Sequence, residues 1–121
     1  MILGTGIDII EIKRIKKAVE RWGDSFLNHI FHKDEIAYAQ ENKFPYQHYA
    51  ARFAAKEAVF KAIGDNPHVT WKDIKVVNDR FGKPCCEFQD KNYKNTIQIS
   101  LSHSKDYAVA FAIITPPQKR P

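Results

Sequence analysis

Residues 52–64, RFAAKEAVFKAIG, read as helix with almost no polar face, yet they carry Arg52, Lys56, Glu57 and Lys61. A helix that is apolar nearly all round is buried, and buried charges require partners. At about 100° per residue, Tyr49, Phe53, Phe60 and Ile63 share one sector. Ala51, Ala54, Ala55, Ala58 and Ala62 form another, almost opposite. The spacing predicts a long helix from about Gln47 to Ile63, with its bulky sector toward the core. The alanines leave room for a second element to come close. Glu57 lies between the sectors, Lys61 sits one turn beyond it, and Lys56 falls between Phe60 and Ile63. A Glu57–Lys61 surface pair contributes only a few tenths of a kcal/mol and belongs on a polar face that this helix hardly has. A half-buried carboxylate among cations better suits a site that receives a metal and phosphates.

The remaining pattern divides the chain by character. ILGTGIDII (2–10) is an apolar strand, followed by helical spacing over 11–23, where Ile12, Ile15, Ala18, Val19 and Trp22 form a stripe that Gly23 stops. A shorter helix is expected over 32–42. From residue 64 strands dominate: 71–79, then DRFGKP as turn chemistry, 85–89, and a hairpin of 97–102 with 107–114 around HSKD. Helices gathered early and strands late predict one α+β domain over 1–115. Its architecture is a mainly antiparallel sheet that includes the first strand and packs against the long helix. Residues 116–121, PPQKRP, read as a loose tail.

Three further places can carry chemistry. On the first strand, period two puts Gly4, Gly6 and Asp8 on one face, a bare strip for close approach with a carboxylate at its end. That carboxylate either holds a cation or caps the helix near Glu11. His103 lies on the apolar parity of Ile97, Ile99 and Leu101, where the strand meets a turn, with Ser102, Ser104 and Lys105 as possible phosphate donors. A core histidine is the competing reading. Lys13, Arg14, Lys16, Lys17 and Arg21 crowd one helix, either as a solvated face or as a docking surface for an acidic partner.

The formal charge of +5 also favours an anionic partner. Nucleic acid fits poorly, because YAVAFAII does not interleave basic with aromatic residues. No apolar run nears the roughly 20 residues of a membrane span. The beginning of the chain lacks a signal-peptide pattern, so a cytoplasmic protein is expected. Adjacent Cys85 and Cys86 point to opposite faces of a strand and read as reduced packing residues.

GTGIDIIEIKRI, RFAAKEAVFKA, NDRFGKP and SLSHSKDYAVAFA, in this order over roughly 2–114, resemble the holo-[acyl-carrier-protein] synthases. These are small bacterial 4′-phosphopantetheinyl transferases, which attach the phosphopantetheine arm of coenzyme A to a carrier-protein serine. The resemblance implies that Asp8 and Glu57 bind Mg²⁺ and act in catalysis with Lys61. It implies coenzyme contacts at Arg52, Lys61, Gly64, Lys83, Pro84, Ser102, His103 and Ser104. Acyl carrier protein would dock on Lys13, Arg14, Lys17 and Arg21. Either Glu57 or a water on the cation would take the serine proton, and the sequence does not choose. The charges on 52–64 would then meet Mg²⁺, the coenzyme and a neighbouring subunit, since family members commonly form trimers with shared sites.

One departure stands out. The family follows its lysine–alanine–hydrophobic–glycine with Thr-Gly, whereas Gly64 here precedes Asp65-Asn66-Pro67-His68. An acid beside a phosphate is unfavourable, so the resemblance implies a reshaped loop or an Asp65 turned away. A catalytically inactive relative that only binds coenzyme A or a carrier protein is the rival reading, discriminated by turnover.

Overall fold

The computed structural model describes residues 1–64, 66 and 68–117. Asp65 and Pro67, the heart of the departure after Gly64, lie outside the described residues, as does the tail beyond Pro117.

Small residues determine how the molecule assembles. Strand β1 (Gly4–Glu11) pairs antiparallel with β5 (Tyr107–Thr115), which pairs antiparallel with β4 (Thr96–His103). The long helix α4 (Pro45–Ile63) lies across this three-stranded sheet. On the helix-facing side β5 offers Ala108, Ala110 and Ala112, while β1 offers Gly4 and Gly6. The alanines of α4 meet them: Ala54, Ala55 and Ala58 are fully buried. A Cβ on Gly6 would stand 1.9 Å from the Ala58 carbonyl oxygen, and one on Gly4 2.1 Å from that of Ala62. The bare strip therefore admits the backbone of α4.

This corrects one expectation. The alanine sector, not the bulky one, faces the sheet core. Phe53 and Phe60 remain half-buried and pack on Trp71, each with its ring 5.0 Å away. The reason is reach: flat, closely approached surfaces exclude water with small side chains, and large rings fill the wider space beside them.

A second core forms around the first half of α4. Helices α1 (Ile12–Trp22), α2 (Asp24–Ile30) and α3 (Lys33–Gln40) bury Ile15, Leu27, Ile30, Phe31 and Ala39 against Tyr49, Ala50 and Ala51. Trp22 is 58% exposed, so the apolar stripe of α1 ends at Val19. A separate two-stranded sheet, β2 (Ile74–Asn78) with β3 (Pro84–Phe88), packs Ile74 and Val76 onto the first core. Residues 71–73 open that segment as a 3-10 turn rather than as strand. Both cysteines are free, and burial pushes the Cys86 thiol up to about 12, which suits packing rather than chemistry.

The opposite side of the three-stranded sheet is uncovered. Ile7 and Ile9 are 59% and 65% exposed, beside exposed Leu3, Tyr107 and Phe111.

Candidate functional site

The first strand ends its glycine strip at Asp8, and the pleat turns that carboxylate to the same side as Gly6, toward α4. There Lys61 reaches back across the strand. Its Nζ donates to the Ile7 carbonyl at 2.9 Å and to Asp8 Oδ1 at 3.2 Å. Glu57, one turn earlier on α4, is half-buried. Burial raises its pKa, the negative charge of Asp8 raises it further, and Lys61 opposes both. Asp8, Glu57 and Lys61 thus form one cluster, and Gly64 closes α4 just beyond it with φ +87°.

Two like-charged carboxylates, one of them desolvated, make a site short of positive charge. Hard oxygen donors of this kind suit a divalent cation such as Mg²⁺, which takes few protein ligands and fills its remaining positions with water and phosphate oxygens. Among the described residues no group of three or more histidine, cysteine or carboxylate side chains stands ready to hold a metal. The pair fits a cation that is shared with a substrate.

The other named residues lie elsewhere. Along α4, Arg52 is turned from Glu57 by about 140° and from Lys61 by about 180°. Its side chain is buried, its guanidinium lies 4.2 Å from the Tyr38 ring centroid, and Nη2 donates to Asn78 Oδ1 at 3.5 Å. Arg52 Nε is buried without an acceptor among the described residues. Asn78 pairs with Pro84, so Lys83 and Pro84 adjoin this second flank. His48, one turn before Arg52, is pulled below the usual imidazole range by burial and by the positive Arg52 and His103 nearby. β4 forms the sheet edge away from β1, so His103, at its exposed end, lies away from Asp8 and on the Arg52 flank. Ser104 Oγ accepts from the backbone N–H groups of Asp106 and Tyr107, stabilising the hairpin turn. Ser102 points to the opposite sheet face, as strand alternation requires.

Within one chain, then, α4 separates two groups of the named residues: Asp8, Glu57, Lys61 and Gly64 on one flank, and Arg52, Lys83, Pro84 and His103 on the other. The basic residues Lys13, Arg14, Lys17 and Arg21 are all exposed on α1.

Lys56 corrects the sequence reading. It is fully buried, and its ammonium meets Glu35 at 2.8 Å and the carbonyls of Ile30 and Ile74 at 2.8 and 2.7 Å. Its partner is internal, not a ligand. Glu35, Tyr38 and His48 carry no motif of their own, and Asn78 opens the NDRFGKP segment without a role that the sequence assigns it. Only the position of Glu35 in the first turn of α3 gave a signal, and that signal points to capping.

A model of the 4′-phosphopantetheinyl transferase superfamily matches residues 4–112. The holo-[acyl-carrier-protein] synthase of Thermodesulfovibrio yellowstonii is 46% identical over 115 residues, spanning 95% of this chain and 100% of that protein. That of Clostridium tetani is 46% identical over 124 residues, with 94% and 96% covered. Among solved structures, the Bacillus anthracis synthase in complex with CoA (3′,5′-ADP) matches with TM-score 0.84 at 37% identity, covering 98% of this chain and 99% of that one. The Helicobacter pylori synthase in complex with coenzyme A matches with TM-score 0.82 at 27% identity, covering 92% and 99%. Full-length likeness in both sequence and fold places this chain in the 4′-phosphopantetheinyl transferase superfamily, among the holo-[acyl-carrier-protein] synthases.

Proposed function

We propose that this protein transfers the 4′-phosphopantetheine group of coenzyme A to a serine of apo acyl carrier protein, releasing adenosine 3′,5′-bisphosphate. The observation that carries the reading is the meeting of Asp8, Glu57 and Lys61 across β1 and α4 in a chain matched end to end by such synthases.

The serine oxygen attacks the β-phosphorus of the coenzyme's pyrophosphate, and the bond to the departing bisphosphate breaks. Asp8 and Glu57 would hold Mg²⁺, which supplies charge neutralisation on the transferred and leaving groups. Glu57, in the same cluster as Asp8 and Lys61, would accept the serine proton. Lys61 is more than half exposed and releases Asp8 to meet a phosphate oxygen. Arg52, with an unused buried N–H, receives phosphate on the second flank together with Lys83 and His103. Pro84, Ser102, Ser104 and Gly64 contribute lesser coenzyme contacts. The exposed bases Lys13, Arg14, Lys17 and Arg21 of α1 receive the acidic carrier protein and speed its encounter.

A homotrimer reconciles the two flanks. The exposed apolar residues Ile7, Ile9 and Phe111 offer a face that a second copy would cover, and that copy would bring its own Arg52 flank beside Asp8 and Glu57. The reading places the protein in the cytoplasm, activating the carrier for fatty-acid synthesis.

Apo acyl carrier protein incubated with this protein, coenzyme A and Mg²⁺, with a parallel EDTA sample, tests the activity by mass spectrometry. The carrier gains the phosphopantetheine mass only with metal. No gain with coenzyme binding intact makes the protein a binder; equal gain in EDTA removes the metal from the reaction.

A further inference from the structure

Three ion pairs occur among the described residues, and only Glu35–Lys56 has both side chains at 0% exposure. Such a pair seldom explains itself by stability, because apolar residues of similar volume often serve as well or better. Its connections supply a different reason. Lys56 Nζ on α4 donates to Glu35 Oε1, to Ile30 O at the end of α2, to Ile74 O on β2 and, at 3.3 Å, to Trp71 O. Glu35 Oε1 also accepts from His32 N at 2.7 Å, and Oε2 accepts from Val76 N at 2.9 Å. One carboxylate and one ammonium thus tie α2, α3, the Trp71 turn and β2 to a single point on α4.

The point lies one helical turn beyond Arg52, on its face of α4. On β2 the tied residues are Ile74 and Val76, and two positions later Asn78 accepts from Arg52 and pairs with Pro84. Among the described residues the β2–β3 sheet has no strand pairing to the three-stranded sheet, so its placement along α4 depends on packing, on this hub and on the more exposed ties Lys75–Asp34 and Lys72–Phe31 O.

We infer that Glu35 and Lys56 are positioning residues for the second flank, locking the β2–β3 sheet against α4 so that Asn78, Lys83 and Pro84 stand at a fixed distance from Arg52. The lock stands on the contacts alone. Its effect on coenzyme recognition rests on the proposed function.

The test uses the full chain carrying Glu35→Gln and Lys56→Met together, which keeps side-chain shape and leaves neither charge buried alone. Amide hydrogen exchange without ligand is compared between 74–88 and 97–114. Steady-state kinetics then follow coenzyme A. In the variant, exchange over 74–88 accelerates while 97–114 stays protected. KM for coenzyme A rises about tenfold with kcat changed by less than about twofold, the signature of a misplaced binding wall. A merely structural role predicts faster exchange in both segments and a lower folded fraction with KM unmoved, and that result overturns the inference. Unchanged exchange over 74–88 overturns it equally. Should the double variant fail to fold, Glu35→Gln alone, which retains the ammonium, is read by the same two measurements. If the wild type itself does not bind coenzyme A, the proposed function falls, and exchange alone decides the lock.

Discussion

Glu57 shows how a functional residue works against the fold that holds it. Burial and the charge of Asp8 raise its pKa above that of the unfolded chain. The stability linked to this group is therefore full below the unfolded pKa and is lost as pH rises through the folded one. Near neutrality the ionised carboxylate strains the metal-free protein. Glu57→Gln should stabilise the protein in EDTA near neutral pH by some tenths of a kcal/mol, seen as a small rise in melting temperature, because a half-exposed group is screened by solvent. The gain should vanish at about pH 4, where the wild-type carboxyl is protonated. Turnover should fall about a hundredfold or more, and Mg²⁺ should no longer raise the melting temperature. A variant that melts below wild type near neutral pH would mean that Glu57 is a structural anchor.

At the scale of elements, the contact of β1 with α4 matters most, because it holds Asp8 beside Glu57. No alternative rotamer relieves a Cβ at Gly6, since Ala58 O at 1.9 Å and Ala62 N at 2.8 Å are backbone atoms. Gly6→Ala should force β1 off the helix and cost about 3 kcal/mol or more by denaturant unfolding. Its folded fraction should turn over more slowly than wild type because Asp8 moves with the strand. Wild-type stability in this variant would refute the close approach. Most of these elements were legible. Alternation in GTGID, alanine spacing in α4 and the hairpin around HSKD each follow from local periodicity. Helix α2 was missed because seven residues, DSFLNHI, hold too few turns for a period to emerge. The separation of β2–β3 from the main sheet is a matter of tertiary pairing, which no local pattern encodes. The partner of Lys56 was hidden for the same reason: Glu35 lies on another helix, and nothing in its neighbours marks it as buried.

For the whole molecule, the placement of the site residues decides what a single chain can do. The motifs named nearly all of those residues, but not that α4 divides them, because sequence order carries no information about which side of a helix a distant strand occupies. A chain with Asp8, Glu57 and Lys61 on one flank and Arg52, Lys83 and His103 on the other has either two unrelated sites or halves of one site completed by a neighbour. Subunit mixing distinguishes them. Asp8→Ala disables the first flank, and Lys83→Ala with His103→Ala, both exposed positions, disables the second. Each variant alone should be nearly inactive, since every interface of the proposed trimer would lack the same half. When the two are mixed and allowed to exchange subunits, some interfaces join an intact first flank to an intact second one. Random assembly of equal amounts makes that true of about one interface in four. Activity should therefore rise to about a quarter of wild type in the mixture. If each chain instead carried its whole site, mixing would give only the average of the two parents. Activity that stays at that average, with exchange verified by native mass spectrometry, would exclude the shared site and return both flanks to one subunit.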